Sequence, residues 1–400
     1  MSAATPARDP VTGLTQTQVD SFTRILGNLT AAESRERLKE DLQTAILIEL
    51  STIPIYLYTY YSIARKPPEA PWTDVSDVQV YAGKAGALVM SVAVEEMLHM
   101  SLSSNIYFSL FNEPPELYMK SPAYYPAQLP YHNPIGPPGP DGSPQVAIPL
   151  AKLSFEQLWH FLQIEYPMKP DELPVDRDWN SLSQFYDYIK FLMSKLSDSD
   201  FQTGSTEYQI QPYNYSVNNV DTLYVNKAFD PWLYPSSAPD KDGYLSAAQA
   251  AQYSNAHDSH RGTAELITVA SKQQAFDAIG TISDQGEGAQ ATEWDDQSDL
   301  ELSRFYKFMT LQAQIDEYKD NKEVLPTPAG GWPPGLEPLP PLTPTITTAQ
   351  LSEPYQPTGG GVVYNFPDDP LTRPDPNRPS TLPPPYIYSE NKQASDYLAL

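Results

Sequence analysis

The sequence predicts a mainly α chain, a four-helix bundle with long irregular loops and a Pro-rich C-terminal tail that wraps it. Three observations carry that reading. Residues 31–66 and 78–112 have helical periodicity. The stretch VAVEEMLHMSLSS puts Glu95, Glu96 and His99 within one helical turn in a chain with five histidines. Beyond residue 324 the composition turns to PTPAGGWPPGLEPLPPLTPT and TRPDPNRPSTLPPPY, which cannot be helical. The chain divides accordingly into an N-terminal tail and short helix over 1–34, a helical bundle over 35–320 with inserted loops at 120–150 and 200–260, and a Pro-rich extension over 321–400.

The elements follow in order. QVDSFTRILGNLT is the short first helix, and Ser34 is the expected N-cap of the long second one. Along that helix Leu42, Ala45, Ile46, Ile53, Leu57 and Tyr61 form an apolar stripe, and Glu49 falls within it. A carboxylate facing a core needs a partner. Pro54 is expected to kink the helix just after Glu49. After the connection KPPEAPWTDVSD, the third helix carries small residues that permit close approach and ends at NEPPELY. The long 120–150 loop has the length of a lid. Ser154 caps SFEQLWHFLQIEYP, where His160 and Glu165 are five apart, so one of the two is expected to face inward. Residues 181–196 give another amphipathic helix. The 200–260 region reads as irregular with one hairpin and carries His257 and His260. Further helices are expected over 262–288, ending in QGEG, and over 295–318.

Composition narrows the chemistry. With 25 Lys plus Arg against 50 Asp plus Glu the net charge is −25, which repels phosphate backbones and anionic lipid surfaces, so neither nucleic acid nor membrane is an expected partner. The absence of cysteine excludes disulfides, thiolate nucleophiles, iron–sulfur clusters and zinc–thiolate sites. Any metal must rest on Glu, Asp and His, which favours iron, with manganese as the alternative. The N-terminus has no apolar signal region, and no run reaches the roughly 18 apolar residues of a membrane span, so a soluble, cytoplasmic protein is expected.

Residues three or four apart share a helix face, so His99 can act with Glu96 or Glu95. An imidazole and a carboxylate converging from one helix is how four-helix bundles build iron or manganese sites. Several segments together, IELSTIPIYLYTYYSI, AVEEMLHMSLSSNIYFSLFNEPPEL, FLQIEYP, SQFYDYIKFL, AFDAIGTISDQGEG and ELSRFYKF, resemble the ferritin-like domain family that includes the N-terminal part of the violacein-pathway iminophenylpyruvate dimer synthase. In di-iron members, two helices each give one Glu and the other two each give Glu-x-x-His. The resemblance therefore implies metal ligands at Glu49, Glu96, His99, Glu287 and Glu301, with Arg304 standing where the last histidine is expected. An arginine cannot bind a cation and brings its own charge.

Three site states are open: one metal on Glu49, Glu96 and His99; an altered two-metal site in which His160, His257 or His260 replaces the lost ligand, with Glu165 a further candidate; and a metal-free pocket held by Arg304. The cofactor expected is accordingly one or two iron ions, manganese in their place, or none. The Glu49, Glu96, His99 constellation, together with Tyr56, Tyr60, Tyr107 and Phe108 as pocket-lining or core residues, leads to the expectation of an iron-dependent oxidoreductase of secondary metabolism acting on a small aromatic or amino-acid-derived metabolite. The alternative is a metal-free or mononuclear scaffold without redox activity. A small-molecule substrate is the expected partner, and a homo-oligomer is compatible with the sequence.

Overall fold

The computed structural model describes residues 8–64, 76–118, 148–165, 181–211, 266–286, 304–318 and 346–354, together with 120, 122, 125–127, 179, 341, 361–364, 366 and 368–369. Helix α1 (Gln16–Leu26) starts at Thr15 and α2 (Ala31–Ser62) at Thr30, each through a reciprocal capping box, with Gln18 and Glu33. Thr30 takes the role expected of Ser34, because Glu33 stands three residues after it and can return its hydrogen bond. Ser34 lies buried inside the first turn. Helix α2 runs through Pro54 without a break. Around the proline, the hydroxyls of Ser51, Thr52 and Tyr125 donate to the backbone oxygens of Leu47, Glu49 and Ser51. Helix α3 (Asp77–Phe111) is capped by Ser76 and stopped by Asn112, which takes the left-handed conformation at φ 53° that asparagine tolerates.

These two long helices are antiparallel partners, since Arg35 near the start of α2 reaches the backbone oxygen of Leu110, while Thr52 meets Glu96. Helix α3 is long and apolar enough to cross a membrane, but 88 % of its most apolar window is buried within the protein, so its apolar surface serves bundle packing. The remaining two rods of the bundle are each built from two shorter helices. Helices α4 (Phe155–Ile164) and α5 (Leu182–Ser194) form one; α6 (Lys272–Gly286) and α7 (Arg304–Gln312) form the other. Helix α4 packs on α7, α5 on α6, and both rods lean on the α2–α3 pair.

The sequence predicts helix from residue 262, yet 266–271 are not helical. The Gln209 side chain bonds both the N–H and the carbonyl of Val269, at 2.6 and 2.7 Å, and Asn105 holds the Ile267 carbonyl at 2.9 Å. Those partners replace the bonds a helix would make. Helix α7 likewise ends at Gln312 rather than at 318, where Ile315 bridges to Ile346. The described part of the C-terminal extension is anchored: helix α8 (Thr348–Ser352) presents Leu351 to the core, and at the end of α2 Ala64 donates to the Val362 carbonyl, Tyr364 donates to that of Ser62, and Val363 bridges to Ile63. Gly361 makes this seat possible, because a Cβ there would stand 1.4 Å from the Glu353 carbonyl oxygen. Among the described residues no strand longer than an isolated bridge occurs.

Candidate metal centre

Glu49, Thr52 and Tyr56 sit at three-to-four spacing on one face of α2, and the sequence gives them an otherwise apolar stripe, so they face inward. On α3, Glu96 and His99 share a face and meet them. One ligand atom from each of Glu49, Glu96 and His99 lies within 4.8 Å of the other two, and all three residues are buried. Glu96 accepts a hydrogen bond from Thr52 Oγ1 at 2.5 Å, and Glu49 Oε2 faces His99 Nδ1 at 3.8 Å. Tyr186, in the first turn of α5, donates to Glu49 Oε1. Glu165, the C-cap of α4, enters from the third rod and accepts from Tyr56 Oη at 2.5 Å.

The fourth rod supplies cations. Arg304, the first residue of α7, donates through Nε to Glu95 at 2.7 Å and through Nη1 to Glu96, and places Nη2 2.9 Å from His99 Nδ1. Its Nη1 is also 3.6 Å from Glu165. Lys307, one turn on, donates to the other oxygen of Glu95 at 2.7 Å. Both cationic side chains are as buried as the acids they meet.

Electrostatics separates the four acids. Burial raises Glu49 against the pull of Glu96, Arg304 and Tyr186, and it raises Glu96 well above the usual carboxylate range, with the nearby Glu49 charge adding to the effect. Burial also pushes Glu165 up to about 7, with Arg304 opposing. Burial acts on Glu95 too, but Lys307 and Arg304 overcome it and hold that carboxyl down at about 2. The same four carboxylates keep Arg304 firmly charged despite its burial.

The donor set fits a hard divalent ion: carboxylate oxygens and an imidazole nitrogen, with no thiolate. Ligand atoms about 2.1 Å from one ion stand up to about 4.2 Å apart, so a triad within 4.8 Å is close to that spacing. Glu49 Oε2 and Glu165 Oε2 are buried with no hydrogen-bond partner among the described residues, as atoms awaiting an electropositive neighbour would be.

Of the residues singled out from the sequence, Glu49, Glu96, His99, Glu165 and Arg304 come together here. His160 does not: five residues before Glu165, it lies about 140° round α4, packs edge-on against Trp159, and is pushed down to about 4 by burial. Glu287, Glu301, His257 and His260 lie outside the described residues, as does most of the 120–150 loop. Tyr56 stacks on Phe308 beside the centre. Tyr107 is eight residues beyond His99, about 12 Å along the helix, where it bonds Glu113 and packs on Phe111, and Phe108 packs on Tyr208. An open cleft of about 620 Å³ lined by Lys39, Gln43, Tyr107 and Glu113 is at that end too and shares no residue with the centre. Sequence reasoning missed Thr52, Tyr186 and Lys307. The signal for Lys307 was present, three residues after Arg304 in an apolar helix.

The sequence profile of the family described as Ferritin-like matches residues 42–313, which span every residue of this centre. The chain belongs to the ferritin-like family. No curated protein sequence matches it. A crystal structure of a ferritin-like protein from Caulobacter vibrioides is similar at 22 % identity, covering 69 % of this chain and 72 % of that one, with a TM-score of 0.39. In this ferritin-like chain, a mainly α bundle carries a buried Glu/Glu/His set able to hold a metal ion.

Proposed function

We propose that this ferritin-like protein is a mononuclear non-haem metalloenzyme, iron being its preferred ion and manganese the substitute, which carries out oxidoreductase chemistry on a small aromatic or amino-acid-derived metabolite. The observation that carries the reading is the convergence of Glu49, Glu96 and His99 from two antiparallel helices. Those residues hold the ion; Tyr186 and Thr52 fix the orientation of the two carboxylates. The Tyr56–Glu165 pair keeps a proton beside the site, and Arg304 balances the remaining charge. A bound ferrous ion supplies redox chemistry with dioxygen or peroxide, or Lewis-acid polarisation of a substrate oxygen. The substrate class is supported by the resemblance of several sequence segments to the family of violacein-pathway enzymes and by the aromatic wall of Tyr56, Phe161 and Phe308 beside the ligands.

Metal analysis of protein purified without chelators is expected to find about one equivalent of iron or manganese, and His99→Ala to drop it below about a tenth with helix content unchanged. Wild-type protein holding under about a tenth of an equivalent of iron, manganese or zinc overturns the proposal. Ferrous-loaded protein is expected to consume dioxygen, and failure to do so overturns its redox half.

A second reading, a metal-free scaffold, is favoured by one contact: Arg304 Nη2 stands 2.9 Å from the His99 nitrogen that a metal would use. Under that reading a chelator leaves the melting temperature unchanged, whereas the metal reading requires it to fall.

A further inference from the structure

The ion proposed above lies beside α2 and α3, and α7 faces it with two cations. We propose that Arg304 and Lys307 are a built-in cation pair standing in for a second metal ion, so that this ferritin-like centre is restricted to a single ion by its own sequence. The inference rests on the mononuclear reading and concerns the half of the centre that reading leaves out.

Bundle sites with two ions draw one Glu from each of two helices and Glu-x-x-His from each of the other two. Among the described residues, α2 gives Glu49, the rod of α4 and α5 gives Glu165, and α3 gives Glu96 with His99. Three of the four contributions are thus present. Where the fourth rod passes the centre, the residues at i and i+3 are Arg304 and Lys307, on one face of α7 and both buried. They occupy this position chemically as well as spatially. A second ion would draw carboxylates to itself; here the guanidinium binds Glu95, Glu96 and approaches Glu165, and the ammonium takes the other oxygen of Glu95.

Charge balance agrees. Among the described residues, Glu49, Glu95, Glu96 and Glu165 bring four negative charges when ionised, and Arg304 and Lys307 bring two positive ones. The deficit of two is met by one divalent cation, and a second would leave the buried layer positive, which burial forbids. Glu95 supports the assignment independently: it points to the α7 side and has both oxygens bonded to the pair. It is the counter-charge that two internal cations need and that a second metal would not.

The test is the metal stoichiometry of the full chain, titrated with Mn²⁺ and followed by bound-metal analysis and electron paramagnetic resonance. Wild-type protein is expected to bind one Mn²⁺ with the spectrum of an isolated ion. The double variant Arg304→Glu, Lys307→His, which puts a Glu-x-x-His in place of the cation pair on α7, is expected to bind two with an exchange-coupled spectrum. If wild type binds two ions, or the double variant binds one, this inference falls while the metal reading stands. If wild type binds none, the metal reading falls and takes the inference with it. Should the double variant not fold, Arg304→Met carries the test: the rise in melting temperature on adding Mn²⁺ must be larger than in wild type, because a competing cation is gone. An equal or smaller rise overturns the inference.

Discussion

Glu95 and Glu96 are chain neighbours, 2 % and 1 % exposed, yet they belong to opposite sides of the centre. On the α7 side, Glu95 is enclosed by Arg304 and Lys307 and stays ionised, with its carboxyl held near 2. On the ligand side, Glu96 shares Arg304 but also faces Glu49, and both are raised. Burial is the same for each, so it cannot account for the difference; the number of cations per carboxylate does. The α7 side already has its cations. The other side has more acid than cation, and a metal ion or protons must supply the balance.

The largest test of that asymmetry is to remove its pivot. Arg304→Met keeps the apolar stem but leaves Glu95, Glu96 and Glu165 near one another with Lys307 as the remaining cation among the described residues. Stripping one member from a buried ion network costs about 3–5 kcal/mol. Urea denaturation of the chelated variant is expected to show a loss of that size. A loss under about 1 kcal/mol, the level of an exposed ion pair, would mean that the two sides are not distinguished by Arg304.

The next test uses pH. Glu165 titrates near 7 when folded against 4.5 for an ordinary glutamate, so the folded chain holds a proton that the unfolded chain has lost. Stability of the metal-free protein therefore falls as pH rises from about 4.5 through 7, by at most about 1.4 kcal/mol per unit, and Glu49 and Glu96 act in the same direction. Glu95 acts oppositely: depressed to about 2, its contribution is present above about 4.5 and lost as pH falls toward 2. Thermal melts in chelator are expected to peak near pH 5, and saturating metal, which displaces the protons, is expected to move the peak upward. A chelated protein more stable at pH 8 than at pH 5 would show that the ligand side holds no surplus of acid.

The bundle was legible because its signals are local and redundant. The periodicity of α2 and α3, the Ser154 and Ser181 caps and the turn of EEMLH each predict their element from residues within a turn or two. The centre was half legible for the same reason. Glu96 and His99 announce themselves by spacing, and Glu49 by standing in an apolar stripe. The α7 side was read only in part, since Arg304 registered as a missing histidine and Lys307 was not singled out. Its role depends on where α7 crosses α3, which brings residues 209 and 212 positions apart into contact. The ends of α6 and α7 were misread for a related reason: Gln209 and Ile346, distant in sequence, offer backbone partners that outcompete helix.

The finest test concerns how the ligand side holds its unbalanced carboxylate. Tyr186 donates to one oxygen of Glu49, while the other has no hydrogen-bond partner among the described residues. Tyr186→Phe removes the hydroxyl and keeps the ring, which packs on Phe185. A single buried hydrogen bond is worth about 1 kcal/mol net, so the chelated variant is expected to lose roughly that much. The informative quantity is the difference between states. If Tyr186 orients Glu49 as a ligand, the variant also binds Mn²⁺ more weakly, and its loss is larger in the metal-loaded protein than in the chelated one. Equal losses in both states would make Tyr186 a packing residue and leave the orientation of Glu49 to α2 alone.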